Sequence, residues 1–181
     1  MPAAADPLRL TGPDFRMRDV EVLLRFYGFD YFIESYRGNL KRFLDDTVRT
    51  LNKRWPKESD LITSRASACV AAIDTTLRVF SSDHAFATFT KSGYEKRFNR
   101  AVFDVMTFYF KDGGVAKLSL DRATKVKEAF KNLCEADAEF LQSLQSTTKS
   151  TAATSKRLRT WGKALGIALN RRIALPSFRE T

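Results

Sequence analysis

The only histidine, His84, stands beside Asp83 in the stretch SSDHAFATFTKSG. A carboxylate next to an imidazole can support acid–base chemistry, provided a nucleophile or substrate lies within reach. No Ser or Cys can be assigned as its partner. The stretch reads as the longest loop, Ser81 to Gly93, so His84 is expected as an exposed loop residue. The paired acids Asp45 and Asp46 fall on the solvated face of a helix. Cys69 and Cys134 are the only cysteines, too few and too far apart for a disulfide framework or a zinc site. Both are expected as free thiols of a cytoplasmic protein. There is no Gly-rich phosphate loop, no pair of histidines one helical turn apart and no GxSxG elbow. No catalytic residue, metal site or cofactor is expected, and the chain alone is not expected to be an enzyme.

Charge is the stronger signal. Of 181 residues, 31 are basic and 21 acidic, a formal net charge of +10. From Lys149 onward there are eight basic residues (Lys149, Lys156, Arg157, Arg159, Lys163, Arg171, Arg172 and Arg179) against one acid, Glu180, so +7 of that charge lies in the last 33 residues. On a helix Leu158, Trp161, Leu165 and Ala168 form the buried face, with Lys156, Arg159 and Lys163 opposite as an exposed row. A phosphate backbone suits such a row, because each neutralised phosphate releases counterions. Lys156, Arg157, Arg159, Lys163, Arg171 and Arg172 are therefore the expected nucleic-acid contacts, with DNA as the partner. The competing reading is a solvated basic face that binds nothing.

The stretch FRMRDVEVLLRFYGF, residues 15–29, poses a second question. Arg16 and Arg18 sit at a helix start, where the backbone N–H groups already carry positive charge. Arg18, Glu21 and Arg25 share one helical strip at i, i+3 and i+7, and Asp19 offsets the dipole conflict. A polar network of Arg16, Arg18, Asp19, Glu21 and Arg25 is the favoured explanation, and an anion site the second. A polar strip on so apolar a helix also suggests packing against something polar, such as another domain.

The elements that position these residues are helical nearly throughout. Met17, Val20, Leu24, Tyr27 and Tyr31 give helical spacing from Met17 to Tyr36, and a second apolar strip predicts that this helix lies centrally. Gly38 ends it and Asn39 caps the next, which carries Leu40, Phe43, Leu44, Val48 and Leu51. Pro56 in WPKESDL predicts a break, with Ser59 capping a third helix through Ile62, Ala66, Cys69, Ile73, Thr76, Leu77 and Phe80. A fourth helix runs from about Glu95 to Phe110, closed by KDGG; a Gly-Gly hairpin is the competing reading there. Asp121 is expected to cap a fifth helix, Asp137 to start a short sixth, and a last to span Ala152–Asn170. The result is an all-α fold: one domain of six to seven helices. Its core is residues 1–148, and residues 149–181 add a Ser/Thr-rich connection, the basic last helix and a basic tail. No stretch is apolar enough to span a membrane, and the start of the sequence carries no secretory-signal pattern.

RMRDVEVLLRFYGF followed by YRGNLKRFLDDTVRTLN resembles the helical region of the GmrSD-type restriction endonuclease N-terminal-domain family. The matching positions are Arg16, Met17, Asp19, Glu21, Leu24, Arg25 and Phe26, then Tyr36, Gly38, Phe43 and Leu44. FNRAVFDVM, Phe98 to Met106, is similar to a second block, and KRLRTW to the final helix. The resemblance implies a role in prokaryotic anti-phage defence or modification-dependent restriction. Family members begin with a ParB/sulfiredoxin-like nucleoside triphosphatase module and often end in an HNH-type nuclease. The motif Asp-Gly-Gln-Gln-Arg and the HNH pattern are both missing here, so none of those residues carries over. The expected partner is a catalytic module supplied by another chain or by a missing N-terminal part. A different class of function is a purely structural, possibly homo-oligomeric module using Tyr27, Tyr31, Phe86 and Phe89 as its contact.

Overall fold

The helix α3 (Arg100–Phe110) is buried on all sides: Ala101 through Thr107, Tyr109 and Phe110 are inaccessible. A helix apolar around its whole circumference belongs in the middle of a fold, and the other helices wrap it. The structure, a computed structural model, describes residues 18–145 and 150–178. In chain order come α1 (Arg18–Tyr31), α2 (Leu40–Phe80), a two-residue hairpin of β1 (Phe89–Thr90) and β2 (Gly93–Tyr94), α3, α4 (Gly113–Asp121), α5 (Ala123–Ala136), α6 (Ala138–Gln145) and α7 (Thr151–Leu169). The fold is all-α. Its centre is α3 and not α1, which presents one side to α3 and another to α2.

Several boundaries follow the side chains that satisfy helix ends. Asn39 Oδ1 accepts the Arg42 N–H at 3.0 Å, and Asp137 Oδ1 the Phe140 N–H at 2.8 Å. Ser150 caps α7 through the Ala153 N–H, and Asn170 closes it in the left-handed conformation, φ 45°. Asn99 caps α3 through the Ala101 and Val102 N–H groups. Its amide also donates to Thr88 Oγ1 and to the Leu144 carbonyl, tying the hairpin loop and the end of α6 to the central helix.

Other boundaries differ from the sequence reading. The first helix ends at Tyr31, and a single 3-10 turn (Ile33–Ser35) replaces its last turn. The second and third predicted helices are one 41-residue helix, with Pro56 inside and a kink where Glu58 leaves helical geometry (φ −128°, ψ 20°). Ser59 caps nothing there. The chain resumes its helix because both sides of the kink serve α1: Leu51 and Ile62 pack on Tyr27, whose hydroxyl donates to the Ile62 carbonyl at 2.5 Å. KDGG does not close a helix without opening another. Asp112 Oδ1 accepts the Val115 N–H at 2.8 Å and starts α4, a helix the sequence reading lacks. Asp121 is the last residue of α4, and α5 begins after Arg122 with no side-chain cap. The predicted loop of residues 81–93 holds β1, which pairs antiparallel with β2 across Lys91 and Ser92.

Close approach of α1 to α2 depends on Gly28. A Cβ there would lie 2.6 Å from Phe43 Cε1 and 3.3 Å from Thr47 Oγ1. Phe43 is wedged against Phe29 and Tyr36, so the ring has little freedom to retreat. Gly28→Ala is expected to destabilise the fold by about 1–3 kcal/mol through overpacking, despite the better helix propensity of alanine. Urea denaturation followed by circular dichroism checks this; an unchanged midpoint would mean that Phe43 gives way freely.

Candidate functional site

The charged residues singled out in the sequence meet very different fates. Arg25, 2 % exposed, points from α1 into the core. Its Nε donates to Asp104 Oδ1 at 2.9 Å, and its Nη2 to Asp104 Oδ2. Arg157, on α7, reaches the same Oδ2 through Nη2 at 3.4 Å. The carboxylate of α3 is thus shared by guanidinium groups from α1 and α7. Toward the surface, Arg25 Nη1 lies 4.0 Å from Glu21 Oε1, and Glu21 pairs with Arg100 at 3.1 Å. So the predicted Arg25–Glu21 link is present but secondary. Arg16 and the Arg18 side chain lie outside the described residues. Asp19 Oδ1 accepts the Val20 N–H at 2.8 Å.

The two arginines are not equivalent. Burial opposes the charge of Arg25, but the attraction and hydrogen bonds of Asp104, with help from Glu21, more than offset it and its pKa is raised. For Arg157 burial dominates: Asp104 supports the charge, Arg25 opposes it, and the pKa is lowered. Arg157 Nε and Nη1 are buried without a hydrogen-bond partner. Tyr36 lies beside the pair and shares a side-chain hydrogen bond with Thr154; burial raises its phenol pKa. The cluster offers two cations to one buried carboxylate and is closed to substrate. It is an internal lock. Because Arg25 meets Asp104 of its own chain, the polar strip on α1 does not call for a second domain.

Arg157 therefore does not belong to the nucleic-acid face: it is 0 % exposed. A signal for this existed, since Arg157, Trp161 and Leu165 recur at i, i+4 and i+8 on the buried side of α7. Lys156 does not stand free either. Its Nζ lies 2.9 Å from Glu139 and 3.4 Å from Asp137. Asp137 is held below the usual carboxylate pKa by the Phe140 N–H first and by Lys156 second. A depressed folded pKa gives stability that is present above the unfolded value and lost as the pH falls through the folded one.

What remains of the predicted row is Arg159, Lys163, Arg171 and Arg172, all exposed and with no carboxylate within 4.0 Å among the described residues. Lys163, Arg171 and Arg172 border an open concavity of about 650 Å³, with Asn170 and Ile167 on the same surface. Ile167 is 82 % exposed, the most exposed large apolar side chain of the described residues. Residues 171–178 are not a loose tail: Leu175 packs on Gly162, where a Cβ would come within 2.7 Å of it, and Pro176 is buried.

His84 is exposed and stacked on Tyr94 with ring centroids 4.3 Å apart. Cys69 and Cys134 are free and buried, and burial pushes both thiols up to about 12. No cluster of His, Cys, Asp and Glu among the described residues could hold a metal ion. No helix among them is long and apolar enough to cross a membrane. Of the aromatic residues expected on a contact surface, Tyr27 and Phe86 are buried, at 5 % and 1 % exposure, and Tyr31 and Phe89 are half-buried. They serve the core. No family model matches the sequence, and neither the curated proteins nor the solved structures provide a match.

Two outcomes are expected. In urea titrations Asp104→Asn, which strands two buried guanidinium groups, should cost about 3–5 kcal/mol. Arg157→Met, which removes the arginine with orphaned donors, should be neutral or stabilising; a large loss in that variant would show that Arg157 is better satisfied than its geometry indicates. Both thiols should resist a disulfide reagent at mildly alkaline pH in the native protein and react once urea unfolds it.

Proposed function

We propose that the chain is a non-catalytic helical module that holds a polyanion, DNA in the first instance, on the end of α7 and the segment after it. The observation that carries this reading is the cluster of cations without ion pairs at the end of α7, against an α2 on which only Lys53 and Lys57 lack one among the described residues. On α2, Lys41, Arg42, Arg54 and Arg78 each have a carboxylate one turn away, and Arg49 has Asp46 at 2.6 Å. Those pairs neutralise the surface locally. Among the described residues Arg159, Lys163, Arg171 and Arg172 have no such partner, and Lys163, Arg171 and Arg172 border one concavity, an arrangement that suits a row of phosphates. The resemblance noted in the sequence supplies a context, a subunit or part of a restriction or anti-phage system whose catalytic module is elsewhere.

Fluorescence anisotropy with a labelled duplex at several salt concentrations tests the reading. Four phosphate contacts predict a slope of about −3 to −4 in log affinity against log salt. Arg159→Ala/Lys163→Ala should reduce that slope by about 2. Lys156→Ala should leave it unchanged, because Asp137 and Glu139 already neutralise that lysine. Absence of binding at low salt, or equal losses in Lys156→Ala and the double variant, would reduce the face to a solvated surface.

A further inference from the structure

The outer ridge of α7 ends on an apolar side chain. Between Arg159 and Leu169 only Arg159, Lys163 and Ile167 are exposed. They recur at i, i+4 and i+8, so they stand in line along one face of the helix. Successive members are about 6 Å apart along its axis. Beyond them Asn170 turns the chain in the left-handed conformation. The segment that follows doubles back over Gly166, where a Cβ would lie 2.9 Å from the Arg171 carbonyl oxygen. That reversal sets Arg171 and Arg172 on the rim of the concavity that Lys163 and Ile167 also line. Ile167 thus has a cation one turn before it and two cations after it.

Nothing inside the fold explains an isoleucine at this position. It is 82 % exposed, against 65 % for Val70, the next most exposed large apolar side chain of the described residues, so it contributes little to the core. A β-branched residue is also a poorer helix former than lysine, glutamate or alanine. A single exposed apolar side chain is ordinary on a protein surface. What distinguishes this one is its bracket of Lys163, Arg171 and Arg172, which have no carboxylate within 4.0 Å among the described residues. An apolar tip at the centre of a cationic surface suits a partner that is anionic outside and apolar just beneath. A nucleic-acid duplex is such a partner, because phosphates line its edges and stacked bases lie between them. An anionic membrane is another, but a lone isoleucine offers far less apolar area than an interfacial helix inserts.

We infer that Ile167 is a wedge that enters between two base pairs of duplex DNA, unstacking and bending it, while Lys163, Arg171 and Arg172 hold the phosphates on either side. The inference deepens the polyanion reading and rests on it. A side chain stiff at χ1 loses little freedom on insertion. Its burial offsets part of the cost of unstacking, and the flanking cations stay on the backbone as the step opens. A wedge also creates a preference that phosphate contacts cannot, since those carry no sequence information. Pyrimidine–purine steps such as TA open more easily than A-tracts, so a duplex with a central TA step should bind more tightly.

Two duplexes of equal length, one with a central TA step and one an A-tract, test this with the full chain at low salt. 2-Aminopurine placed at the step brightens when stacking is lost, and dyes on the two ends report bending by energy transfer. Both signals should rise when the protein binds the TA duplex. Ile167→Ala should abolish both rises and weaken binding to that duplex about tenfold. The salt slope should stay as it was, because no cation is removed. Ile167→Lys is the second variant: it should steepen the slope by about 1 and still leave 2-aminopurine dark. Each variant replaces an exposed side chain, so neither should lower the melting temperature. Binding without the two signals, signals that persist in Ile167→Ala, or equal affinity for the two duplexes would overturn the inference and leave the polyanion reading standing. Absence of duplex binding at low salt would overturn both. Phosphatidylserine vesicles bound by the parent chain but not by Ile167→Ala, with neither duplex responding, would assign the surface to a membrane and overturn the inference as well.

Discussion

Asp104 is the carboxylate on which the arrangement of α1, α3 and α7 depends. It sits on a helix that is otherwise apolar on every side, so an ionised carboxylate there requires cations brought from elsewhere. Arg25 and Arg157 bring them from opposite ends of the sequence, 79 and 53 residues away. Sliding or rotating α1 or α7 would strand a charge in the core. Apolar contacts tolerate such movements far better, because hydrophobic burial has no direction. A buried ionic cluster of this kind is weak as a source of stability but strong as a constraint on geometry.

The packing around the cluster is built to let these side chains meet. Gly28 brings α1 close to α2, and Phe29, Tyr36 and Phe43 close the space in mutual ring contacts of 5.1 to 5.7 Å. Tyr36 belongs both to that aromatic group and to the polar surroundings of Arg157. The kink at Glu58 acts on the same problem from further away. A straight helix of 41 residues would run past α1, whereas a bent one lets Leu51 and Ile62 both reach Tyr27. Gly162 plays the corresponding part on α7. It leaves room for the Tyr109 ring, whose hydroxyl donates to the Leu158 carbonyl at 2.8 Å.

The parts of this fold legible in the sequence are those decided by neighbours along the chain. The caps at Asn39 and Asp137 and the apolar stripe of α7 follow from local spacing. Illegible features are those where two local signals compete or where the partner is remote. Asp112-Gly113-Gly114 reads as the end of a helix, with a hairpin as the alternative, whereas Asp112 caps a new helix on which Val115 and Ser119 are buried. Pro56 reads as a stop because its lost hydrogen bond is a local cost, while the gain from continuing is made against Tyr27. The polar character of the α1 strip was visible, but its main partner, Asp104, lies within FNRAVFDVM, where nothing local distinguishes a buried acid from an exposed one.

The candidate site shows the same limit. Lys156, Arg157, Arg159 and Lys163 stand within eight residues of one helix and look alike by composition. Yet Arg157 is spent on the core, Lys156 on the acids at the start of α6, and only Arg159 and Lys163 remain uncommitted. The two uncommitted cations cannot be explained by a need inside the fold, because that need is met by their neighbours. Arg171 and Arg172 extend the same charge beyond the helix, on a segment packed through Leu175 and Pro176 and with no carboxylate within 4.0 Å among the described residues. A cationic surface without such an ion pair has no close counter-charge to give up when an anion arrives. Binding there displaces only solvent and salt ions, which is the physical condition for a strong dependence on ionic strength.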